Sequence, residues 1–273
     1  MNFQFSIRRV ACGLALVLAA LILVTPNDLS AQGRGGGGRG GGGRGGDAAP
    51  RGARQSSPID LTGYWVSVVT EDWRFRMMTP PKGDYESVPL TPAARKVADS
   101  WDPAKDEAAG EQCRSYGAAA IMRVPGRINI TWRDDNTLKI DTDAGTQTRL
   151  FHFADAPPPT EERSWQGHSI ARWRAAQGGR EGRANGPTAG GSLSVTTTHM
   201  RPGYLRKNGV PYSENAVVTE SYNTFKEPNG DQWLIITTLV QDPQYLNQPF
   251  ITSTHFKKQA DAKGWQPSAC SVR

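Results

Sequence analysis

Histidine and cysteine are scarce in this chain, at four and three among 273 residues. No HExxH, GxSxG, Walker or strand-borne GxGxxG motif stands out, so the sequence carries no zincin, nucleophile-elbow, P-loop or dinucleotide signature. The histidines, His152, His168, His199 and His255, show no ligand-pair spacing, and the cysteines form no CxxC. No metal centre and no cofactor is expected from such a set. Helical periodicity is nearly absent too. Only residues 91–101 carry it, with Thr91 as a capping residue, Pro92 at the first helical position and alanines after it. Net charge is the last thing missing. Lys and Arg outnumber Asp and Glu by 32 to 26, but most of that excess sits in the first 58 residues. The leader holds Arg8, Arg9 and Asp28; the next segment holds Arg34, Arg39, Arg44, Arg51 and Arg54 against Asp47. The remainder is left at about +1, without the basic footprint of a nucleic-acid-binding domain.

The N-terminus has what the rest lacks, a long apolar run. Arg8 and Arg9 precede residues 10–24, which are almost wholly apolar, and Leu29-Ser30-Ala31 forms a small-residue cleavage site before Gln32. This pattern predicts a cleaved signal peptide over residues 1–31 and a periplasmic or extracellular protein. The apolar run is short for a membrane span, the alternative reading. Cys12 lies near the start of the run, where a lipidated cysteine would follow it. Residues 32–58 are Gly/Arg low complexity with no large apolar side chain, and read as a disordered cationic tether. No specific nucleic acid is expected as a partner. Weak contact of the tether with an anionic envelope surface is the alternative to a plain spacer. Cys113 and Cys270 remain in the mature chain, and an even pair in an exported protein predicts one disulfide, with two buried thiols as the alternative.

Residues 59–273 read as a single all-β domain. Apolar and polar residues alternate over 63–69, 128–132, 138–140, 149–153, 164–173, 193–199, 217–225, 232–240 and 250–256. Asp134-Asp135-Asn136 and Pro228-Asn229-Gly230 mark tight hairpin turns. Short strands at this spacing predict an antiparallel barrel, half-barrel or sandwich with one short helix. Residues 174–191 (RAAQGGREGRANGPTAGG) break the rhythm and read as a mobile insert, either a plain loop or a lid.

Chemistry-bearing side chains cluster in two stretches, Trp165 to Trp173 and His199 to Glu220. In these, His168 and His199 are candidate bases, Tyr212 a candidate acid, and Arg172 or Arg201 a candidate oxyanion clamp. Glu220 is placed to orient a histidine. Residues between His199 and Tyr212 read as a loop, and a loop pinned by its own hydrogen bonds is the plainer account. Trp165, Trp173, Tyr204 and Tyr245 are candidate ligand-binding residues, drawn from an aromatic content that includes eight tryptophans.

One ordered series carries a resemblance. Gly167-x-Ser169-x-x-x-Trp173, Leu193-x-Val195-x-Thr197, Gly209-x-Pro211-x-Ser213, Glu220-x-Tyr222, Asp242-Pro243-x-Tyr245 and Pro249-Phe250 follow one another. Over residues 117–256 the chain resembles a family of uncharacterised exported bacterial β-barrel proteins. In that family the Trp is followed by a Glu-Gly-Asp turn, which the insert at 174–191 replaces here. Gly63-Tyr64-Trp65 resembles the opening of lipocalin-like barrels, where the Trp closes the barrel floor. The resemblance implies a lipocalin-like barrel and no particular activity. Two functions are then open: binding of a small, partly aromatic organic ligand in a barrel cavity, or a cofactor-independent isomerase, lyase or hydrolase using the His/Arg/Tyr/Glu cluster.

Overall fold

Alternation with period two becomes eleven strands in the computed structural model, which describes residues 52–154, 158, 162–175 and 190–272. The leader, most of the Gly/Arg segment and most of the 174–191 insert lie outside the described residues. The strands are β1 (Gly63–Val68), β2 (Arg127–Asp134), β3 (Thr137–Thr142), β4 (Thr148–His152), β5 (His168–Ala175), β6 (Gly191–Thr198), β7 (Gly203–Arg206), β8 (Val210–Tyr212), β9 (Val217–Lys226), β10 (Gln232–Gln241) and β11 (Phe250–Lys258). Nine of them close a barrel in the order β1-β11-β10-β9-β6-β5-β4-β3-β2. The expected barrel is therefore present, but not every pairing is antiparallel. A ring with an odd number of strands cannot alternate direction all the way round, and the mismatch falls at β4–β5, which pair in parallel through Phe151↔Ser169 and His152↔Ile170.

Helices are more numerous than the single one expected. The segment capped by Thr91 is α2 (Pro92–Asp99), with Thr91 Oγ1 accepting from the Ala94 amide at 3.2 Å. Two shorter helices join it, α1 (Trp73–Met77) and α3 (Pro103–Ala108). The span 199–212, read as a loop, contains the β7–β8 ribbon. Its turn needs Gly209, whose φ is 82° and whose lack of a Cβ leaves room for the Trp101 side chain. Among the described residues, no helix is long and apolar enough to cross a membrane.

The core is layered along the barrel axis. Ile130, Ile140, Phe151, Leu193, Val195, Tyr222, Ile236 and Phe256 fill one end. Val218, Val240, Phe250, Met200, Tyr212 and α2 build a second apolar cluster at the other. Between them, inward positions turn polar: Thr197, Glu220, Thr238, Thr252 and Thr254 are all buried. Trp65, 1% exposed, donates from its indole to the Leu61 carbonyl at 2.9 Å. Trp132, Phe153 and Trp173 pack together with ring centroids 5.1–6.4 Å apart.

Residues 52–58, placed in the tether on composition, belong to the fold. Ala53 is buried, its amide donates to Asn136 Oδ1 at 2.9 Å, and its carbonyl accepts from the Trp173 indole at 2.8 Å. Small residues suit a strap laid close over an aromatic cluster, which a count of apolar side chains does not register. At the C-terminus a disulfide joins Cys113 and Cys270, and Trp265 packs edge-on against Tyr64 at 5.7 Å.

Candidate functional site

The acid–base cluster expected from the sequence is not assembled. Glu220 on β9 points into the barrel, where its two oxygens accept from Arg149 Nη1 at 2.9 Å and Nη2 at 2.6 Å. His168 alternates with buried Ser169 and Ala171 on β5, so it faces outward and stacks on His152 at 5.4 Å. The barrel wall thus stands between Glu220 and the histidine it was to orient. His199 follows β6 in the left-handed conformation, with φ 57°. Arg172 is exposed on the outer face of β5. Arg201 is committed to Glu111 at 2.7 Å and stacks 4.2 Å over Trp165, so it does not read as an oxyanion clamp, whereas Arg172 shares an outer cleft with His168. Trp173 packs under the strap rather than against a ligand.

Residues of the ordered series meet in two buried polar sites instead. Ser169 Oγ and Thr197 Oγ1 lie 2.7 Å apart, the Tyr222 hydroxyl donates to Glu220 at 3.2 Å, and Arg149, which the sequence reading passed over, ties the group together. Arg149 and Glu220 have no exposed side-chain surface. The carboxylate holds the Arg149 guanidinium above its ordinary pKa despite burial, and burial with the Glu220 charge pushes the Tyr222 phenol well up. Ser213 donates to Asp242 from both its amide and its hydroxyl, at 2.6 and 2.8 Å. Neither group is open to substrate; both fix strands and a turn. Side chains also occupy the barrel axis, where a ligand cavity was expected.

Clefts lie on the outside of the barrel, one of about 360 Å3 over β5 and β6 with His168 and Arg172 in its wall, and two beside the helices. The first of these two, of about 310 Å3, lies beside α1 and includes Phe75, Arg76, Arg123 and Arg206 in its wall. Three guanidiniums this close repel unless paired. Arg76 is paired with Glu71 and donates to the Arg123 carbonyl at 2.9 Å. Arg123 Nη1 reaches Asp72 at 3.0 Å. Arg206 is 3% exposed and has no carboxylate partner among the described residues; it holds the Glu86 carbonyl at 2.7 Å and Ser87 Oγ at 2.9 Å. Its guanidinium stacks 3.9 Å over Phe75. Burial, helped by Arg123 and opposed by Asp72, Asp84 and Glu86, lowers its pKa to about 10. Arg206 Nε and Arg123 Nη2 are buried without a hydrogen-bond partner. Asp72 and Ser87, which grip two of these arginines, are non-glycine residues at positive φ, 50° and 62°. Such strain persists where surrounding contacts impose it and gathers at functional sites. Met77 and Met78, 59% and 67% exposed, add an apolar rim. Nothing in the sequence pattern brings 76, 123 and 206 together, because they lie on a short helix, a 3-10 turn and the β7–β8 ribbon.

A second cleft, also about 310 Å3, gathers three tyrosines singled out from the sequence, Tyr204, Tyr212 and Tyr245, together with Trp101. Among the described residues no group of three His, Cys, Asp or Glu is arranged to hold a metal ion. Comparison with family models, with curated proteins and with solved structures finds no match to this chain.

Proposed function

We propose that this protein is an exported barrel that binds a small organic anion, a carboxylate or similar oxyanion with an apolar or aromatic body, in the arginine cleft. The observation that carries the reading is Arg206. A buried guanidinium with no carboxylate in contact, and only Asp72, Asp84 and Glu86 acting on it from further off, is costly, and an anion entering beside it adds a direct partner. Arg123 and Arg206 carry N–H groups matched to planar oxyanions. Phe75, Met77 and Met78 offer surface for the ligand's apolar part. A cleft of this size suits a small molecule, near the lower end of ligand pockets, which run from roughly 300 to 1,000 Å3. This keeps the ligand class expected from the sequence and moves it from the barrel axis to the outer cleft. The enzyme reading has less support, since Glu220 is bound to Arg149 and His168 faces the opposite side of the wall.

The test is calorimetric titration with benzoate and with benzamide, alike in shape but not in charge, after untargeted mass spectrometry of co-purified small molecules. Benzoate is expected to bind and benzamide to bind far more weakly, and Arg206→Gln is expected to remove the difference. Equal binding of acid and amide, or no saturable binding of either, refutes the proposal.

A further inference from the structure

The second cleft differs from the first in charge. Its charged side chains balance: Asp102 and Asp106 against Lys105 and Arg114. Its walls are aromatic, with Trp101, Tyr204 and Tyr245. The cleft forms where the β7–β8 ribbon folds against α2 and α3, and the close fit of Trp101 on Gly209 fixes the indole. At one edge the polar groups are locked in place. Asp106 Oδ1 accepts from Arg114 Nη1 at 2.8 Å, Asp106 Oδ2 accepts from the Tyr204 hydroxyl at 2.8 Å, and Arg114 donates to that same hydroxyl at 3.0 Å. Burial raises the Tyr204 pKa to about 12, so the phenol stays protonated as Asp106's donor. Tyr212 also lines the cleft, and its hydroxyl is buried without a hydrogen-bond partner.

A ligand complementary to this cleft has no net charge, flat apolar faces, and an edge whose groups donate and accept at once. A free organic anion would gain little where positive and negative side chains cancel. A purely apolar ring would leave the Asp106–Arg114 edge desolvated without return. A pyranose ring meets all three demands: its C–H faces are apolar, and each hydroxyl both donates and accepts. We infer that the cleft between α2, α3 and the β7–β8 ribbon binds a neutral saccharide, with its ring against Trp101 and Tyr245 and vicinal hydroxyls on the Asp106–Arg114 pair. This site is separate from the arginine cleft and does not depend on that reading.

Saturation-transfer NMR on the whole protein tests it, with maltose, cellobiose, lactose and N,N′-diacetylchitobiose as probes at millimolar concentration. At least one is expected to bind saturably, with the strongest transfer to ring C–H protons. Trp101→Leu is expected to weaken that binding about tenfold, the scale of a lost aromatic contact. Arg206→Gln, in the other cleft, is expected to leave it unchanged. If Trp101→Leu fails to fold, Tyr245→Leu decides the same point from another part of the cleft. Absence of transfer to all four sugars, or binding untouched by the folded variant, overturns the inference.

Discussion

Arg149 and Glu220 lie 71 residues apart in sequence and meet where no water reaches them. Such a pair is stable only as a pair. Glu220→Gln leaves a buried guanidinium without its counter-charge and is expected to cost about 3–5 kcal/mol in chemical denaturation. Arg149→Met with Glu220→Leu removes both charges and should recover most of that loss; a double variant as unstable as the single would show that the charges do more than satisfy each other. The sequence pointed to Glu220 but not to its role. A glutamate beside histidines invites an acid–base reading, and only the parity it shares with Val218 and Tyr222 marks it as inward. Arg149 shares parity with Phe151 in the same way, yet a charged residue in a strand is ordinarily taken as solvent-facing. Arg206 was invisible for a different reason. Its environment comes from segments far apart in the chain, and no local pattern encodes that.

Strands were the most legible elements, because one buried face imposes period two on each of them. The parallel seam at β4–β5 was not legible, because alternation carries no information on strand direction. His152 and His168 stack across that seam. Burial first, then the His168 charge, then Arg133, lower the His152 pKa, while Asp134 opposes them. The folded state therefore resists protonation of His152 more than the unfolded chain does. Its contribution is full above the ordinary value of 6.5 and fades as pH falls through the lowered one. Urea midpoints should drop between neutral and mildly acidic pH, and His152→Gln should flatten that part of the profile; an unchanged slope would clear His152 of the effect. The strap escaped detection because Ala53 and Arg54 bind the barrel through backbone groups. Starting the chain at Gly52 should preserve the melting temperature, whereas starting it at Ile59 should lower it by uncovering Trp173.

On the scale of the whole molecule, the expected disulfide is in place and ties the C-terminal tail to the 3-10 turn that follows α3. It closes a loop with a sequence separation of 157, for which the chain-entropy model gives roughly 5 kcal/mol as an upper figure. Protein beginning at Gln32 and isolated without reductant should show no free thiol when denatured, and reduction should clearly lower its melting temperature. Two titratable thiols would contradict this. Barrel closure is equally long in reach. β1 is completed by the last strand, with Trp65 opposite Lys258. During synthesis the first strand therefore waits for the last, and every nascent chain shorter than β11 carries two unpaired sheet edges. Premature stops and C-terminal clipping should then yield aggregates rather than smaller folded pieces.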